Sequence, residues 1–530
     1  VSSPVLLLKE GQRQIELTVG LQSDREISQT FLIEVLENCV DQEAFYQAFG
    51  LLFSRHILSN GPCLSDDDQE RILAGAKRLF EEGEYRYLHS LLIKEKKSHL
   101  INLFHKAFVI QATTESGWLD IDSALFMPLD DDHPAQFGFK IIVSLAPEVE
   151  PVIACSDELH GSEWSVSQPV IKAALNPASI FCCYSLFDGM FIQQLEIDVA
   201  VTGAQAFNAA NNFGPLDVTK PFNPFGPIPS TNAYLVIGGY EFSRKQISAL
   251  NLTVEWGELP PSGNFSSHYQ GYAADYNNES FVWDVSVLTN NQWSSSEVVS
   301  PLSMAMFASE PLSGELLSEA SFTIDLSEAF TPTNTLLSEE QFAQATLVRN
   351  GLFRFKISQP KGAFGHAEYP ALLSQVLTEN TQSKSPKPIP ESPYTPMINR
   401  ITVGYRASCS IDFSTQQSSS PDKLFHIHPF GMCEVVADVN TPQIPLLPRY
   451  QKDGNLFIGI RASSLSGILT LFFNLTKDAD EVSTTHRADI SWSYLTKRGW
   501  RPLDRSYILA DSTEGFICSG IVNLKLPSDL

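Results

Sequence analysis

No stretch of about 18 consecutive apolar residues occurs in the 530-residue chain, which excludes a membrane-spanning helix. Basic residues are scarce as well. The 36 Lys and Arg stand against 61 Asp and Glu, for a formal net charge of −25. A protein that follows nucleic-acid phosphates needs a basic surface, so the charge argues against that class, and attraction to anionic lipid is disfavoured for the same reason. Solubility and self-repulsion are the simplest consequence of the charge, although an acidic surface also suits docking on basic partner subunits. The eight cysteines (Cys39, Cys63, Cys155, Cys182, Cys183, Cys409, Cys433 and Cys518) contain no C-x-x-C. Their scatter favours reduced thiols in a protein made in the cytoplasm over a disulfide framework. P-loop, H-E-x-x-H and G-x-S-x-G motifs are lacking. The chain starts at Val1 without a charged segment followed by an apolar core, so no secretory signal is expected in what is shown, and with a first residue other than Met the true start is expected to be missing. Without such a signal the sequons at Asn251, Asn264, Asn278 and Asn474 are read as chance.

What is present describes a folded protein. Hydrophobic content is 43% and charged content 18%, and the length predicts two to four domains. The most distinctive stretch is Thr219–Pro261. Pro221, Pro224, Gly226, Pro227 and Pro229 predict a rigid, non-repetitive arm, because proline fixes φ and glycine permits φ > 0. Phe222 and Phe225 would anchor the arm by burying their rings. Two strands are predicted after it. In Asn232–Gly238, Ala233, Leu235 and Ile237 alternate with Tyr234 and Val236; in Ala249–Trp256, Leu250, Leu252, Val254 and Trp256 share one face.

The N-terminal third reads as helical. Apolar residues recur at helical spacing in Phe31–Leu58, in a segment after Asp66–Asp68 that Gly83 ends, and in Leu88–Ile110. Lys94, Lys96 and Lys97 read as a solvated face. From about Trp118 the period becomes two, as in Leu195–Val201, Phe281–Val287, Phe322–Leu326, Phe353–Ile357 and Ile401–Tyr405. Short alternating runs divided by Gly, Pro, Asn and Ser predict antiparallel sheets in sandwiches or partly open barrels. The fold class is therefore α+β, with a mainly helical region over 1–115 and β-rich regions over 116–290, 291–400 and 401–530. Ser294–Ser318 and Thr378–Pro396 read as loops, the second a proline-stiffened linker or a strap for a partner.

Candidate chemistry is thin. His426 and His428 would point to one side of a strand, with His366 as a third imidazole, but no Cys or carboxylate stands at a recognised metal-ligand spacing. Structural hydrogen bonding is the preferred role for all three, with Gly365-His366 a tight turn carrying a polar plug. Asp130–Asp132 with His133 reads as an exposed loop rather than a cation site, and Cys182-Cys183 as part of a buried strand. No carboxylate pair is identifiable for glycoside hydrolysis. Trp256, Trp283 and Trp492 fit core packing better than a sugar platform. No cofactor is expected.

The distinctive stretches also carry a family resemblance. The Pro221–Pro227 frame, followed by a strand, a charged turn and a strand ending in Trp256-x-x-Leu259-Pro260, resembles the large J-like baseplate proteins of contractile injection systems, such as antifeeding prophages and Photorhabdus virulence cassettes. Gly351–Tyr369 looks like the family's strand followed by Ala363-Phe364-Gly365-His366-x-x-Tyr369. Pro393–Ala407, Phe425–Gly431, Leu446–Gly459 and Trp500–Pro527 resemble further blocks in the expected order, so the likeness runs from about Cys155 to the C-terminus. The first 150 residues do not show the family's usual pattern, and relatives continue where this chain stops. The resemblance implies a non-enzymatic wedge subunit of a phage-tail-like particle. It would pair with other wedge subunits, surround the spike and hub with six-fold symmetry, and meet the sheath through a lysozyme-like baseplate protein. Pro221, Phe222, Pro224, Phe225, Gly226, Pro227, Trp256, Phe364, Gly365, His366 and Tyr369 are the candidate interface or structural residues. A carbohydrate- or receptor-binding β-sandwich of the same particle, and a polysaccharide-degrading enzyme, are the alternatives.

Overall fold

A computed structural model of the chain describes residues 1–23, 351–411 and, with short interruptions, 108–327 and 413–528. Its residues form two compact units: Val1–Leu424 with Val435–Leu447, and Phe425–Glu434 with Pro448–Leu530.

The first unit is built on strands in which every second residue is apolar. In Glu319–Leu326, for example, Ala320, Phe322, Ile324 and Leu326 are buried, while Glu319, Ser321, Thr323 and Asp325 are exposed. Such strands gain most by laying their apolar faces against one another. They do so in two antiparallel sheets. The larger has nine strands, eight of them in the spatial order Val299–Ser300, Glu319–Leu326, Ile247–Gly257, Met397–Ile411, Met190–Ala204, Gln12–Ser23, Phe137–Leu145 and Leu125–Pro128. The ninth, Ile444–Pro445, pairs with Met190–Ala204. The smaller has seven strands, with Val282–Thr289, Leu352–Gln359 and Tyr234–Gly238 at its centre.

The two sheets face each other through large rings. Trp283 of the smaller sheet lies 4.9 Å from Phe322 and 6.1 Å from Trp256 of the larger. Both tryptophans are buried. This is a sandwich core whose rings were readable as alternating positions. Gly351 marks one tight approach: its φ is +77°, and a Cβ there would stand 2.6 Å from the Ser243 backbone. A further three-stranded sheet combines Gly117–Asp120, Phe108–Thr114 and Ile171–Leu175.

Three expectations change. The helices predicted within 31–107 lie outside the described residues, but the described parts of the N-terminal region contain no α-helix, only a single 3-10 turn at Pro4–Leu6. Gln12–Ser23 is a twelve-residue strand, and Phe108–Thr114 removes Phe108 and Ile110 from the predicted helix. The reason is pairing: Ile15, Leu17, Val19 and Leu21 alternate into the core between Phe137–Leu145 and Met190–Ala204, partners more than a hundred residues away. Secondly, Ser294–Ser318 is not all loop, since it contains the short strands Val299–Ser300 and Ser303–Ala305 and buries Val298, Met306 and Phe307. Thirdly, the predicted linker starts inside a helix, Tyr369–Gln382, whose first turn contains Pro370.

The second unit has a thinner core. It contains the hairpins Phe425–His428/Gly431–Glu434 and Ser493–Thr496/Gly499–Pro502, and a three-stranded sheet ordered Ile468–Phe473, Gly520–Lys525, Ile508–Asp511. Among its described residues only Val522 and Leu524 are fully buried hydrophobics. Trp492, half-buried, sits 6.4 Å from Phe473 and 6.3 Å from Phe516.

Candidate functional site

The proline arm is fixed at each end by local chemistry. Before it, Asp217 accepts from the amide and hydroxyl of Thr219 and pairs with Lys220 at 2.9 Å. These bonds pull the exposed Asp217 carboxyl down to about 2. Within the arm Phe222 exchanges two backbone hydrogen bonds with Ile398, at 3.0 and 2.9 Å. Asn223 donates to the Pro396 carbonyl at 2.9 Å, and Asn211 donates to the Asn223 carbonyl at 3.2 Å. Phe225 is buried. Gly226 turns the chain at φ +78°, and a Cβ there would stand 2.1 Å from the ring of Phe213. The outward apolar groups are therefore Ile228, 67% exposed, and Phe213, 72% exposed.

The segment around Phe364 is organised by aromatic rings. Phe364 stacks on Phe281 at 4.4 Å, and Tyr369 stacks on Tyr272 at 6.3 Å. Gly365, at φ +79°, ends a turn, and His366 Nε2 lies 2.8 Å from the Thr395 hydroxyl. The Nδ1 of His366 is buried without a hydrogen-bond partner. Burial lowers the pKa of this imidazole, because a second proton on Nδ1 would be an unpaired charge away from water. Tyr269 donates to the Phe364 carbonyl at 3.0 Å, Tyr272 to the Glu391 carbonyl at 2.7 Å, and Tyr276 to the Glu368 carboxylate at 3.0 Å. Desolvation pushes all three phenols well above their ordinary range, so they act as donors and not as bases.

The two groups of sequence-predicted residues meet along one short segment, Tyr394–Ile398. Thr395 holds His366, Pro396 holds Asn223 and Ile398 holds Phe222. Tyr394 donates to the carbonyl of Gly257, the residue after Trp256, at 2.8 Å. Trp256 reaches Phe364 through Phe307, which lies 4.8 Å from the first ring and 6.4 Å from the second. All of this joins segments distant in sequence by backbone-directed hydrogen bonds and ring packing. By contrast, His426 and His428 lie on their own hairpin in the second unit, and burial lowers the pKa of His428. Among the described residues no three His, Cys, Asp or Glu side chains come together as metal ligands would. Asp130–Asp132, His133, Cys182 and Cys183 lie outside the described residues.

Sequence reasoning missed a buried polar cluster. Lys245 is buried and donates to Glu241 at 2.9 Å, to the Leu7 carbonyl and to the Tyr405 hydroxyl, while Tyr405 also donates to Glu241. Desolvation lowers the Lys245 pKa and raises that of Tyr405. The signal was the i, i+4 spacing of Glu241 and Lys245. Also missed was Arg13, which spends its whole guanidinium on five backbone carbonyls, those of Leu8, Gly11, Ala146, Val149 and Glu150. Nothing local in the sequence marks it.

The described residues thus define a β-sandwich scaffold in which prolines, rings and buried polar groups fix the course of loops. The class of protein is one whose assets are rigidity and surface. A family model, baseplate protein PVC11-like, matches residues 185–530. The chain belongs to this family of baseplate proteins and is accordingly a baseplate component of a phage-tail-like particle, assembling with other baseplate components. No curated protein matches the chain. The match takes in the arm, the aromatic cluster and the second unit. No helix among the described residues is long and apolar enough to cross a membrane.

Proposed function

We propose that the chain is a wedge subunit of the baseplate of a contractile injection system, working through contacts and not through a chemical reaction. The wedge would pair with a related wedge subunit, surround the spike and hub with six-fold symmetry, and meet the sheath through a lysozyme-like baseplate protein. The observation that carries the baseplate role is the family match over residues 185–530, and the wedge position rests on the resemblance of the ordered blocks from Pro221–Pro227 to Trp500–Pro527. Its mechanism is mechanical. A closed ring that opens on a trigger needs interfaces with two discrete arrangements and different contacts in each. Such a switch works best when each subunit moves as a stiff piece. The pinning of the proline arm, the helix start and the Tyr394–Ile398 segment to one another supports this role.

The Pro221–Pro229 arm and the Thr378–Pro396 stretch are proposed inter-subunit contacts. For the arm, Phe222 and Phe225 hold it from inside, and Ile228 with Phe213 is the face offered to a neighbour. In the second stretch the exposed residues from Ser383 to Ile389 offer the contact. The test is electron microscopy of particles purified with this chain tagged. Density at the base of the sheath, next to the spike, is the expected result. Density on the fibres, or particles without the tag, overturns the wedge reading.

A further inference from the structure

The buried Lys245 cluster sets up a chemistry that a surface ion pair lacks. The pairs Lys140–Glu16, Lys220–Asp217 and Lys387–Glu379 all keep contact with water, whereas the Lys245 side chain has none and that of Glu241 is 10% exposed. An ion pair taken out of water loses the hydration of both partners, and their attraction often offsets that cost only in part. Burial favours the neutral amine, so it draws the Lys245 ammonium towards giving up a proton. The acceptor, 2.9 Å away, is Glu241 Oε1. Proton transfer across that contact leaves an amine beside a carboxylic acid, both uncharged.

The two groups are held in place for reaction. Glu241 lies in the helical turn Tyr240–Ser243 and Lys245 follows it at four residues' distance, so both side chains project from one face. The turn is fixed on several sides. Its Ser243 hydroxyl donates to the Tyr240 carbonyl at 2.7 Å, and Gly351 approaches the Ser243 backbone closely. The Phe242 ring lies 5.5 Å from Tyr405 and 6.3 Å from Phe353. Groups oriented within one molecule react as if present at about 10⁵–10⁸ M, provided the reacting atoms approach to about 3–3.5 Å. A proton relay stands beside them. Tyr405 accepts from Lys245 Nζ and donates to Glu241 Oε1. Burial holds that phenol well above its ordinary range, so it takes one proton as it gives another and stays neutral.

We propose that Lys245 and Glu241 condense to a side-chain amide, an intramolecular isopeptide bond that closes in the folded chain. Nζ attacks Cδ of the protonated Glu241 carboxyl; the C–N bond forms and the C–Oε1 bond breaks with its electron pair. Oε1 already bears the proton taken from the ammonium. A second proton leaves Nζ for Tyr405, which delivers its own to Oε1, and water departs. The third proton stays on the amide nitrogen. The step needs no oxidant, reductant or second molecule. In the product the amide N–H keeps the Leu7 carbonyl as acceptor, and the Tyr405 hydroxyl has the amide carbonyl beside it. The buried polar groups therefore stay paired while the buried charges disappear. The bond locks the turn on which the N-terminal segment at Leu7 and the Met397–Ile411 strand converge.

The test is mass spectrometry of the full chain, purified folded and then denatured. The expected mass is that of the sequence less one water, and a digest should show the peptides on either side of the Arg244–Lys245 bond joined through Glu241 and Lys245. Lys245→Met should have the full mass of its own sequence. A parent chain with no water lost, a loss that maps elsewhere, or a loss that persists in Lys245→Met overturns the inference. Tyr405→Phe tests the relay. In newly synthesised chain sampled over time, the bond should form about a hundredfold more slowly in this variant, and an unchanged rate overturns the relay. The parent mass decides the existence of the bond whether or not that variant folds. Either result leaves the baseplate membership untouched, since the bond concerns the folded chain alone.

Discussion

Replacing Arg13 by methionine should loosen the N-terminal strand of the sandwich more than any surface change of equal size. Arg13 is buried, and its guanidinium fills a fork-shaped space between Leu8–Gly11 and the Ala146–Glu150 loop. Methionine retains much of the volume but none of the donors. The Leu8 and Ala146 carbonyls keep an amide partner each, from Val152 and Val149, so the loss concentrates on Gly11, Val149 and Glu150. A buried acceptor deprived of its partner costs about 1–3 kcal/mol; of the three only Gly11 is buried, while Val149 and Glu150 belong to a loop that reaches water, so the loss is put at about 2 kcal/mol. If opening is local, that is roughly thirtyfold faster amide exchange at the affected hydrogen bonds. Hydrogen–deuterium exchange read on peptides covering 1–23 and 138–153 is the assay, with the Val152 amide as the clearest reporter. Arg13→Lys should fare no better than Arg13→Met, because a single ammonium cannot reach five carbonyls and remains a buried charge. Exchange in both variants within about threefold of the parent, or full rescue by lysine, refutes the reasoning that the five bonds of the fork matter.

Three further outcomes are expected. Phe225→Ala should cost about 3–5 kcal/mol in a denaturant titration, while Ile228→Ser should leave stability unchanged and reduce particle assembly; the reverse pattern defeats the assignment of inner and outer sides to the arm. Lys245→Met should cost about 3–5 kcal/mol, because Glu241 then faces only Tyr405, and adding Glu241→Met should recover most of the loss; strictly additive costs in the double variant count against a coupled pair. His366 has a folded pKa below its unfolded value near 6.5, so the unfolded chain binds more protons and stability falls as pH drops below about 6.5. His366→Gln, which keeps a donor for Thr395, should reduce the fall in thermal midpoint between pH 7.5 and 5.5 without removing it, since His268 and His428 shift the same way. An identical fall in both proteins contradicts the role given to the unpaired Nδ1.

Much of this protein was determined along the chain itself. Period-two runs such as Leu250–Trp256 and Phe353–Ile357 named their buried faces correctly, because a strand's two faces are set by alternation and by nothing further away. Gly226 and Gly365 were identifiable as turns from local chemistry, and both have positive φ. The ordered blocks also carried the baseplate family, which the match over 185–530 supports at that level. Only the tertiary structure decided the rest. Gln12–Ser23 is a strand because Met190–Ala204 and Phe137–Leu145 flank it, and propensity within a window holds no information on partners that distant. Tyr394–Ile398 became the seam where the arm, the Trp256 strand and the His366 turn meet through bonds that span more than a hundred residues in most cases. Nothing in the chain around Arg13 distinguishes it, and only the fold brings five carbonyls to its guanidinium. Local sequence sets which side of an element turns inward; which element it turns towards is settled by the packing of the whole chain.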